Sequence, residues 1–184
     1  MFEASPLYIF HPLAPARISS LLPSVKLIAL LRNPTERALS HYFNARGKNR
    51  DSAPMLEVFQ RDEQKLLEMP AIDAQRKTDH RFLRDSYKSR GHYAEQLKRY
   101  LQYFSKEQIL LLASEDLFRD THQTLRSAFE FLGVDADFHV PDVRPRSRGW
   151  PKQEVPADVR KYLDDYFRPH NQALYELTGR DFGW

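Results

Sequence analysis

The chain has 184 residues, of which 41% are hydrophobic and 12% aromatic, enough to bury a sizeable core, so we expect a single domain over residues 1–184. It contains no cysteine, which excludes a disulfide framework, a thiolate metal site and a cysteine nucleophile. Because the net charge is only +3 and no apolar run reaches membrane-spanning length, we predict a cytoplasmic protein with no nucleic-acid or membrane partner.

The first predicted elements are a short helix and a strand. Residues 2–10 are too few and too broken by Pro6 for a helix, whereas residues 14–22 suit a short one. Residues 26–31 form a continuous apolar run, as expected for a parallel strand that is covered on both faces. The chain therefore begins its core with a buried strand.

This strand leads directly into a helix start. Asn33 stands where an N-cap belongs, Pro34 at the first helical position and Glu36 three residues after the cap. These signals predict a helix over residues 34–46, with Arg32 at the carboxyl end of the strand and beside the helix N-terminus. The combination indicates an anion site, although an arginine at such a junction can also serve solubility alone.

Three further helical segments are predicted. Residues 55–69 are amphipathic, and residues 89–104 place apolar side chains at helical spacing. In the second segment Tyr93 either packs in the core or contacts a ligand, and we favour packing. The closing stretch, residues 156–177, is predicted to be interrupted at Pro169.

A second buried strand is predicted over residues 108–113. Glu115 and Asp116 follow it, and we expect them to organise the turn into a helix over residues 121–132 rather than to bind a metal. That helix should stop at Gly133, a typical C-terminal cap. Residues 144–151, Arg-Pro-Arg-Ser-Arg-Gly-Trp-Pro, show neither the helical nor the strand spacing of apolar residues and are predicted to form a basic loop.

Several of these segments, in this order, resemble those of sulfotransferases. The motif Arg32-Asn-Pro-x-x-Arg-Ala-x-Ser40-x-Tyr is similar to the segment that holds the 3'-phosphate of the donor 3'-phosphoadenosine 5'-phosphosulfate. The opening Glu3-Ala-Ser-Pro-x-Tyr8, the later Arg-Gly-x-Tyr and Glu-Asp-Leu motifs, and the C-terminus also resemble this family, particularly its heparan-sulfate and related carbohydrate members. The resemblance implies an α/β, P-loop-NTPase-like fold, a parallel sheet flanked by helices.

The resemblance also implies roles for individual residues. Arg32 and Ser40 would contact the 3'-phosphate, and Glu3 would be the catalytic base that takes a proton from the acceptor hydroxyl. The basic loop would close over the donor nucleotide, a role that falls on Arg146, Ser147, Arg148 and Gly149 with a register uncertain by one or two residues. No metal is required by this scheme. A solvated loop and a solvated Glu3 remain the alternative readings.

One departure from the family concerns its first strand, glycine-containing phosphosulfate loop and helix. The loop carries a lysine and cradles the 5'-phosphosulfate, whereas here no glycine precedes Gly47. We therefore expect an N-terminally truncated domain that leaves a hydrophobic sheet edge exposed. Either the sequence begins at an internal methionine of a longer enzyme, which we favour, or the protein is a shortened relative that no longer catalyses.

The predicted function is transfer of a sulfuryl group from 3'-phosphoadenosine 5'-phosphosulfate to an acceptor hydroxyl of a carbohydrate or small molecule, or less readily to an amine. The alternative is a non-catalytic nucleotide-binding or interaction protein derived from a sulfotransferase. The expected partners are the donor nucleotide, its product 3'-phosphoadenosine 5'-phosphate and an acceptor. Neither the acceptor nor the oligomeric state can be predicted from the sequence.

Overall fold

The computed structural model describes residues 2–50, 52–68, 86–138, 140 and 154–184. Within these residues, no helix combines the length and apolar composition needed to cross a membrane. The α-helices and strands of the described residues are α1 (Ala14–Leu21), β1 (Leu27–Leu31), α2 (Pro34–Gly47), α3 (Met55–Glu68), α4 (Tyr93–Tyr100), β2 (Ile109–Ala113), α5 (Ser114–Arg119), α6 (Thr121–Leu132) and α7 (Ala157–Thr178), and two 3-10 helices span Ser89–Gly91 and Lys106–Gln108.

The two predicted strands pair with each other. β1 and β2 run parallel, with Leu27 opposite Ile109 at one end and Leu31 opposite Ala113 at the other. Because the strands are parallel, their carboxyl ends meet at the same edge of the sheet. The residues that follow β1 and those that follow β2 are therefore neighbours.

The two faces of this sheet differ in how they are covered. Ala29 and Leu31 of β1 lie on the face that packs against the buried Tyr93 and Leu97 of α4 and Leu174 of α7. On the opposite face Ile28 and Leu30 are 41% and 51% exposed, so the prediction that this strand is covered on both faces is wrong. The covered face thus fixes α4 and α7 against the sheet and brings the start of α4 to the end of β1.

A second apolar cluster joins α2, α3 and α7. Ala38, Leu39 and Tyr42 of α2 pack with Val58 and Phe59 of α3. The buried stripe of α7 completes the cluster with Val159, Leu163 and Phe167. Helix α7 therefore contributes to both clusters and holds α2 and α4 in one arrangement.

The prediction that the last helix is interrupted at Pro169 is wrong. α7 runs from Ala157 to Thr178 with Pro169 in its interior. Proline removes one helical hydrogen bond and costs about 3 kcal/mol or more. Buried residues on both sides of it, Phe167 and Asn171 among them, keep the helix continuous by packing.

The segment after β2 also differs from the prediction. Residues that we predicted to form a turn make the short helix α5, Ser114–Arg119. The next helix, α6, ends as predicted at Gly133, whose φ of +76° lies in the left-handed region that glycine adopts readily. Helix α5 places Glu115 at the carboxyl edge of the sheet.

Candidate functional site

The junction between β1 and α2 has the capped helix start that the sequence predicts. The Asn33 side-chain oxygen accepts a hydrogen bond of 3.2 Å from the backbone N–H of Glu36, and Pro34 occupies the first helical position. The α2 N-terminus therefore opens at the carboxyl edge of the sheet, next to Arg32. A helix N-terminus with an adjacent guanidinium is suited to an anion.

Two contacts from other elements hold this junction in place. The backbone N–H of Asn33 donates to Oε1 of Glu115 at 2.9 Å, and the Tyr93 hydroxyl donates to the backbone carbonyl of Arg32 at 3.0 Å. Glu115 comes from α5 and Tyr93 from α4, so the ends of both strands and the start of α4 meet here. The junction is fixed before any ligand arrives.

The Tyr93 hydroxyl shows the electrostatic character of this region. Burial raises the pKa of Tyr93, the positive charges of Arg37 and Arg32 oppose that rise, and the negative charge of Glu115 adds to it. Two guanidinium groups and one carboxylate therefore act on a single buried hydroxyl. The predicted core role of Tyr93 holds, and the residue also positions the main chain of Arg32.

The predicted 3'-phosphate ligands Arg32 and Ser40 are both half-buried. Ser40 lies on α2 seven residues after Asn33, a spacing that puts both on one face of the helix, about 10 Å apart along its axis. Arg37, between them in the sequence, donates a hydrogen bond to the backbone carbonyl of Tyr87. Arg37 is thus committed to holding the segment before α4, and the ligand roles of Arg32 and Ser40 stay predictions.

Gly91 packs tightly against Phe167 of α7 and Pro34 of α2. A β-carbon added at this position would lie 2.6 Å from Cε1 of Phe167 and 2.9 Å from Cβ of Pro34. Separations this short are not tolerated between carbon atoms, so only glycine allows the turn before α4 to approach α7 and the first residue of α2. Gly91 therefore sets the spacing of the elements that form the junction.

We expect Gly91→Ala to lower the free energy of unfolding by about 1–3 kcal/mol, because the added methyl group overpacks a filled space. Urea unfolding followed by circular dichroism measures this change. Gly179→Ala is the matched control for space, since a β-carbon there meets nothing within 4 Å, although its φ of +69° adds a backbone cost. An unchanged Gly91→Ala variant would contradict the close packing described.

The predicted base Glu3 lies in the exposed N-terminal segment. The Tyr8 hydroxyl donates a hydrogen bond to Glu3, and that bond, more than burial, raises the pKa of Tyr8. The Tyr100 hydroxyl in turn donates to the backbone carbonyl of Tyr8 at 2.8 Å. Tyr100 and Tyr93 stand at opposite ends of α4, about 10 Å apart along its axis, so Glu3 and Arg32 are tied to different ends of this helix.

A buried group of rings and one ammonium lies beside the start of α4. Nζ of Lys88, which is fully buried, donates to the Tyr162 hydroxyl at 2.6 Å and lies 4.0 Å from the centre of the Tyr166 ring. The Tyr166 hydroxyl is 2.8 Å from Nε2 of His92. Burial, together with the positive charges of His170 and Lys88, lowers the pKa of His92 to about 3.

This pKa predicts a loss of stability in mild acid. The unfolded chain protonates His92 near its ordinary pKa of about 6.5, whereas the folded chain does so only near 3, so stability is present above pH 6.5 and falls as the pH drops. Between about pH 7.5 and pH 5 we expect His92 to account for a loss of roughly 2 kcal/mol. Urea unfolding at the two pH values measures it, and a His92→Gln variant with the same loss would contradict the assignment.

The four predicted loop residues, Arg146, Ser147, Arg148 and Gly149, lie outside the described residues. The roles predicted for them stay predictions.

Sequence reasoning missed the bracing roles of Glu115 and of the C-terminal segment. Arg180 donates to the backbone carbonyl of Leu111 at 2.9 Å and to Oδ2 of Asp116 at 2.7 Å, and the Trp184 ring lies 6.0 Å from that of Tyr93. The only sequence signal for these contacts was the pair of adjacent carboxylates, Glu115 and Asp116, after β2. Asn33 and Arg180, their partners from other elements, are 82 and 64 positions away in the sequence, so these two pairings could not be predicted.

Comparison with known proteins gives a family match for most of the chain. The sequence model described as "Sulfotransferase domain" matches residues 4–147. A solved structure described as a sulfotransferase from Alicyclobacillus acidocaldarius has a TM-score of 0.79 and 31% sequence identity, covering 98% of this chain and 65% of that one. This similarity confirms the predicted α/β, P-loop-like fold with a parallel sheet flanked by helices.

Curated relatives give a similar result. Heparan sulfate glucosamine 3-O-sulfotransferase 3B1 of Mus musculus is 29% identical over 206 residues, covering 99% of this chain and 49% of that protein. Bifunctional heparan sulfate N-deacetylase/N-sulfotransferase 1 of Xenopus tropicalis is 28% identical, covering 96% of this chain and 22% of that protein. The chain thus spans about half of the first relative and about a fifth of the second.

Proposed function

Because the chain belongs to the sulfotransferase domain family, we propose that it transfers a sulfuryl group from 3'-phosphoadenosine 5'-phosphosulfate to a hydroxyl group of a carbohydrate. The family match over residues 4–147 and the names of the relatives support this proposal. Membership of the sulfotransferase family implies 3'-phosphoadenosine 5'-phosphosulfate as the sulfuryl donor.

The observation that carries the proposal is the junction after β1. Arg32 stands at the carboxyl end of a parallel strand, next to a helix N-terminus capped by Asn33, and its main chain is held by Tyr93. The guanidinium of Arg32 and the hydroxyl of Ser40 can bind a phosphate through charge-assisted hydrogen bonds. We assign the 3'-phosphate of the donor to Arg32 and Ser40.

The proposed base is Glu3. An acceptor hydroxyl becomes a better nucleophile as a carboxylate takes its proton, and such help is typically worth about 10²–10⁴ in rate. Glu3 is linked through Tyr8 to Tyr100, at the end of α4 that is remote from Arg32. This separation supports the assignment, because the 3'-phosphate and the transferred sulfuryl group lie on different parts of the donor. The Tyr8 hydroxyl, which donates to Glu3, orients the carboxylate.

The basic loop is proposed to complete the donor site. Arg146 and Arg148 would add positive charge against the donor phosphates, and Ser147 and Gly149 would supply a hydroxyl and backbone donors. Charge stabilisation of this kind is the main contribution of the protein in transfers that pass through a dispersed anionic transition state.

The acceptor atom is proposed to be oxygen rather than nitrogen. The names of the relatives include both 3-O-sulfotransferases and an N-sulfotransferase, so the family accommodates either. Several of the first relatives are named for 3-O transfer, which favours a hydroxyl. A non-catalytic protein that retains only the nucleotide site is the competing proposal.

Incubation of the chain, alone and extended at its N-terminus by the phosphosulfate-loop segment of a relative, with the donor nucleotide and desulfated heparan oligosaccharides tests the function. We expect a product heavier by one sulfo group, detected by mass spectrometry, and release of 3'-phosphoadenosine 5'-phosphate. Glu3→Gln should lower the rate by about 10²-fold or more while nucleotide affinity stays unchanged. The exposed Glu176→Gln serves as the matched control.

Different results identify the competing proposals. Nucleotide binding without transfer to any hydroxyl or amine acceptor, by the extended chain as well as by the chain alone, would favour the non-catalytic protein. Transfer that is equally fast in Glu3→Gln would remove Glu3 from the mechanism and leave the donor site intact.

A further inference from the structure

A second cluster of potential ligands lies between the start of α4 and the middle of α7. It consists of His92 and Glu95, three residues apart at the start of α4, and His170 of α7. One ligand atom from each residue lies within 4.8 Å of the other two. We propose that His92, Glu95 and His170 bind one divalent transition-metal ion, with Zn²⁺ as the best match.

The distances between the three side chains are close to those of a metal site. Oε2 of Glu95 is 3.8 Å from Nδ1 of His92, and Oε1 is 3.9 Å from Nδ1 of His170. Bonds to Zn²⁺ of about 2.0–2.2 Å put neighbouring ligand atoms about 3.3 Å apart in a tetrahedral site. No two of the three ligand atoms are more than 4.8 Å apart, so each pair needs to approach by at most about 1.5 Å.

One ring must also tilt for the ion to bind. The two imidazoles are stacked, with ring centres 3.9 Å apart and planes 10° from parallel, whereas a metal lies in the plane of each ring that binds it. The side chains of His170 and Glu95 are 28% and 59% exposed and can move, while that of His92 is only 12% exposed. His92 thus serves as the fixed ligand to which the other two adjust.

A tyrosine holds the fixed ligand in the orientation that binding requires. Nε2 of His92 is 2.8 Å from the Tyr166 hydroxyl. When Nε2–H donates to that oxygen, Nδ1 keeps its lone pair on the side where Glu95 lies. Metal-binding histidines commonly use their second nitrogen in this way, and the bond fixes both tautomer and ring orientation.

The chemistry of the three ligands selects the ion. Two imidazoles and one carboxylate match Zn²⁺ with a fourth position open to water, and Cu²⁺ and Ni²⁺ also suit nitrogen ligands. The ammonium of Lys88, which lies over the Tyr166 ring, opposes a second cation. We therefore expect micromolar rather than nanomolar affinity.

Binding would join two helices that position the nucleotide site. Tyr93, which follows His92 directly, donates to the backbone carbonyl of Arg32. An ion held by α4 and α7 would therefore stabilise the turn that carries this contact. Its role is structural, and the proposed sulfuryl transfer does not pass through it.

The test is calorimetric titration of the metal-free chain with ZnCl₂, after removal of any affinity tag that contains histidine. We expect one saturable equivalent in the wild-type chain and binding at least tenfold weaker in both Glu95→Gln and His170→Gln. His122→Gln, at an exposed position on α6, is the matched control and should bind as the wild type does. Circular dichroism of each variant confirms that it is folded.

Two further measurements make the result decisive. Zn²⁺ should raise the thermal midpoint of the wild-type chain and leave that of Glu95→Gln unchanged, and Co²⁺ should give the visible absorption of a four-coordinate complex only in the wild type and in His122→Gln. Absence of saturable binding in the wild type would overturn the proposal, and so would binding in Glu95→Gln and His170→Gln that is as tight as in the wild type.

Discussion

Replacing Arg32 with alanine is expected to weaken the binding of 3'-phosphoadenosine 5'-phosphate about 100-fold, because a guanidinium–phosphate pair contributes roughly 3 kcal/mol through charge-assisted hydrogen bonds. The fold should be unaffected. Tyr93 holds the backbone carbonyl of Arg32, not its side chain, so truncation leaves that contact in place. Calorimetric titration of both chains measures the change in affinity.

Two variants show whether the loss is specific to the guanidinium. Arg32→Lys keeps the charge but not the planar fork of donors, so we expect an intermediate loss of about tenfold. Arg126→Ala removes an arginine from α6 whose side chain is 51% exposed and paired with Glu130, and it should bind as the wild type does. Equal affinities for Arg32→Ala and Arg126→Ala would place the phosphate elsewhere.

Replacing Phe167 with alanine is expected to lower the free energy of unfolding by about 3–5 kcal/mol, the usual cost of removing a large buried ring. Phe167 is fully buried, belongs to the cluster formed by α2, α3 and α7, and fills the space next to Gly91. Domains of this size commonly have a stability of about 5–15 kcal/mol, so this loss is a large fraction of the total. Urea unfolding measures the loss.

The comparison with an exposed phenylalanine tests the packing argument. Phe118 of α5 is 54% exposed, and Phe118→Ala should change stability by no more than about 0.5 kcal/mol. If both variants lost the same amount, Phe167 could not have the central place in the core that the structure gives it.

Local signals in the sequence were sufficient to predict the junction. The apolar run of β1, the Asn33 cap and Pro34 act over a few residues, and the structure shows the strand, the cap and the helix at the predicted positions. The same holds for Gly133, where one residue with positive φ ends α6. The strand–helix unit that places Arg32 could therefore be predicted from the residues alone.

Features that depend on distant contacts could not be predicted in this way. Packing of α7 on both sides of Pro169 outweighs the local tendency of proline to end a helix. The hydrogen bond from Asn33 to Glu115 joins residues 82 positions apart, and no short-range pattern contains it. The three potential metal ligands likewise come together only because α4 and α7 pack against each other.

The central claim is that this chain binds the 3'-phosphate of the donor nucleotide. Calorimetric titration of the purified chain with 3'-phosphoadenosine 5'-phosphate, repeated with adenosine 5'-monophosphate, tests it most directly, because the two ligands differ only in that phosphate. We predict one saturable site for the first ligand and binding at least tenfold weaker for the second. A folded chain that binds neither ligand, or both equally well, would contradict the claim.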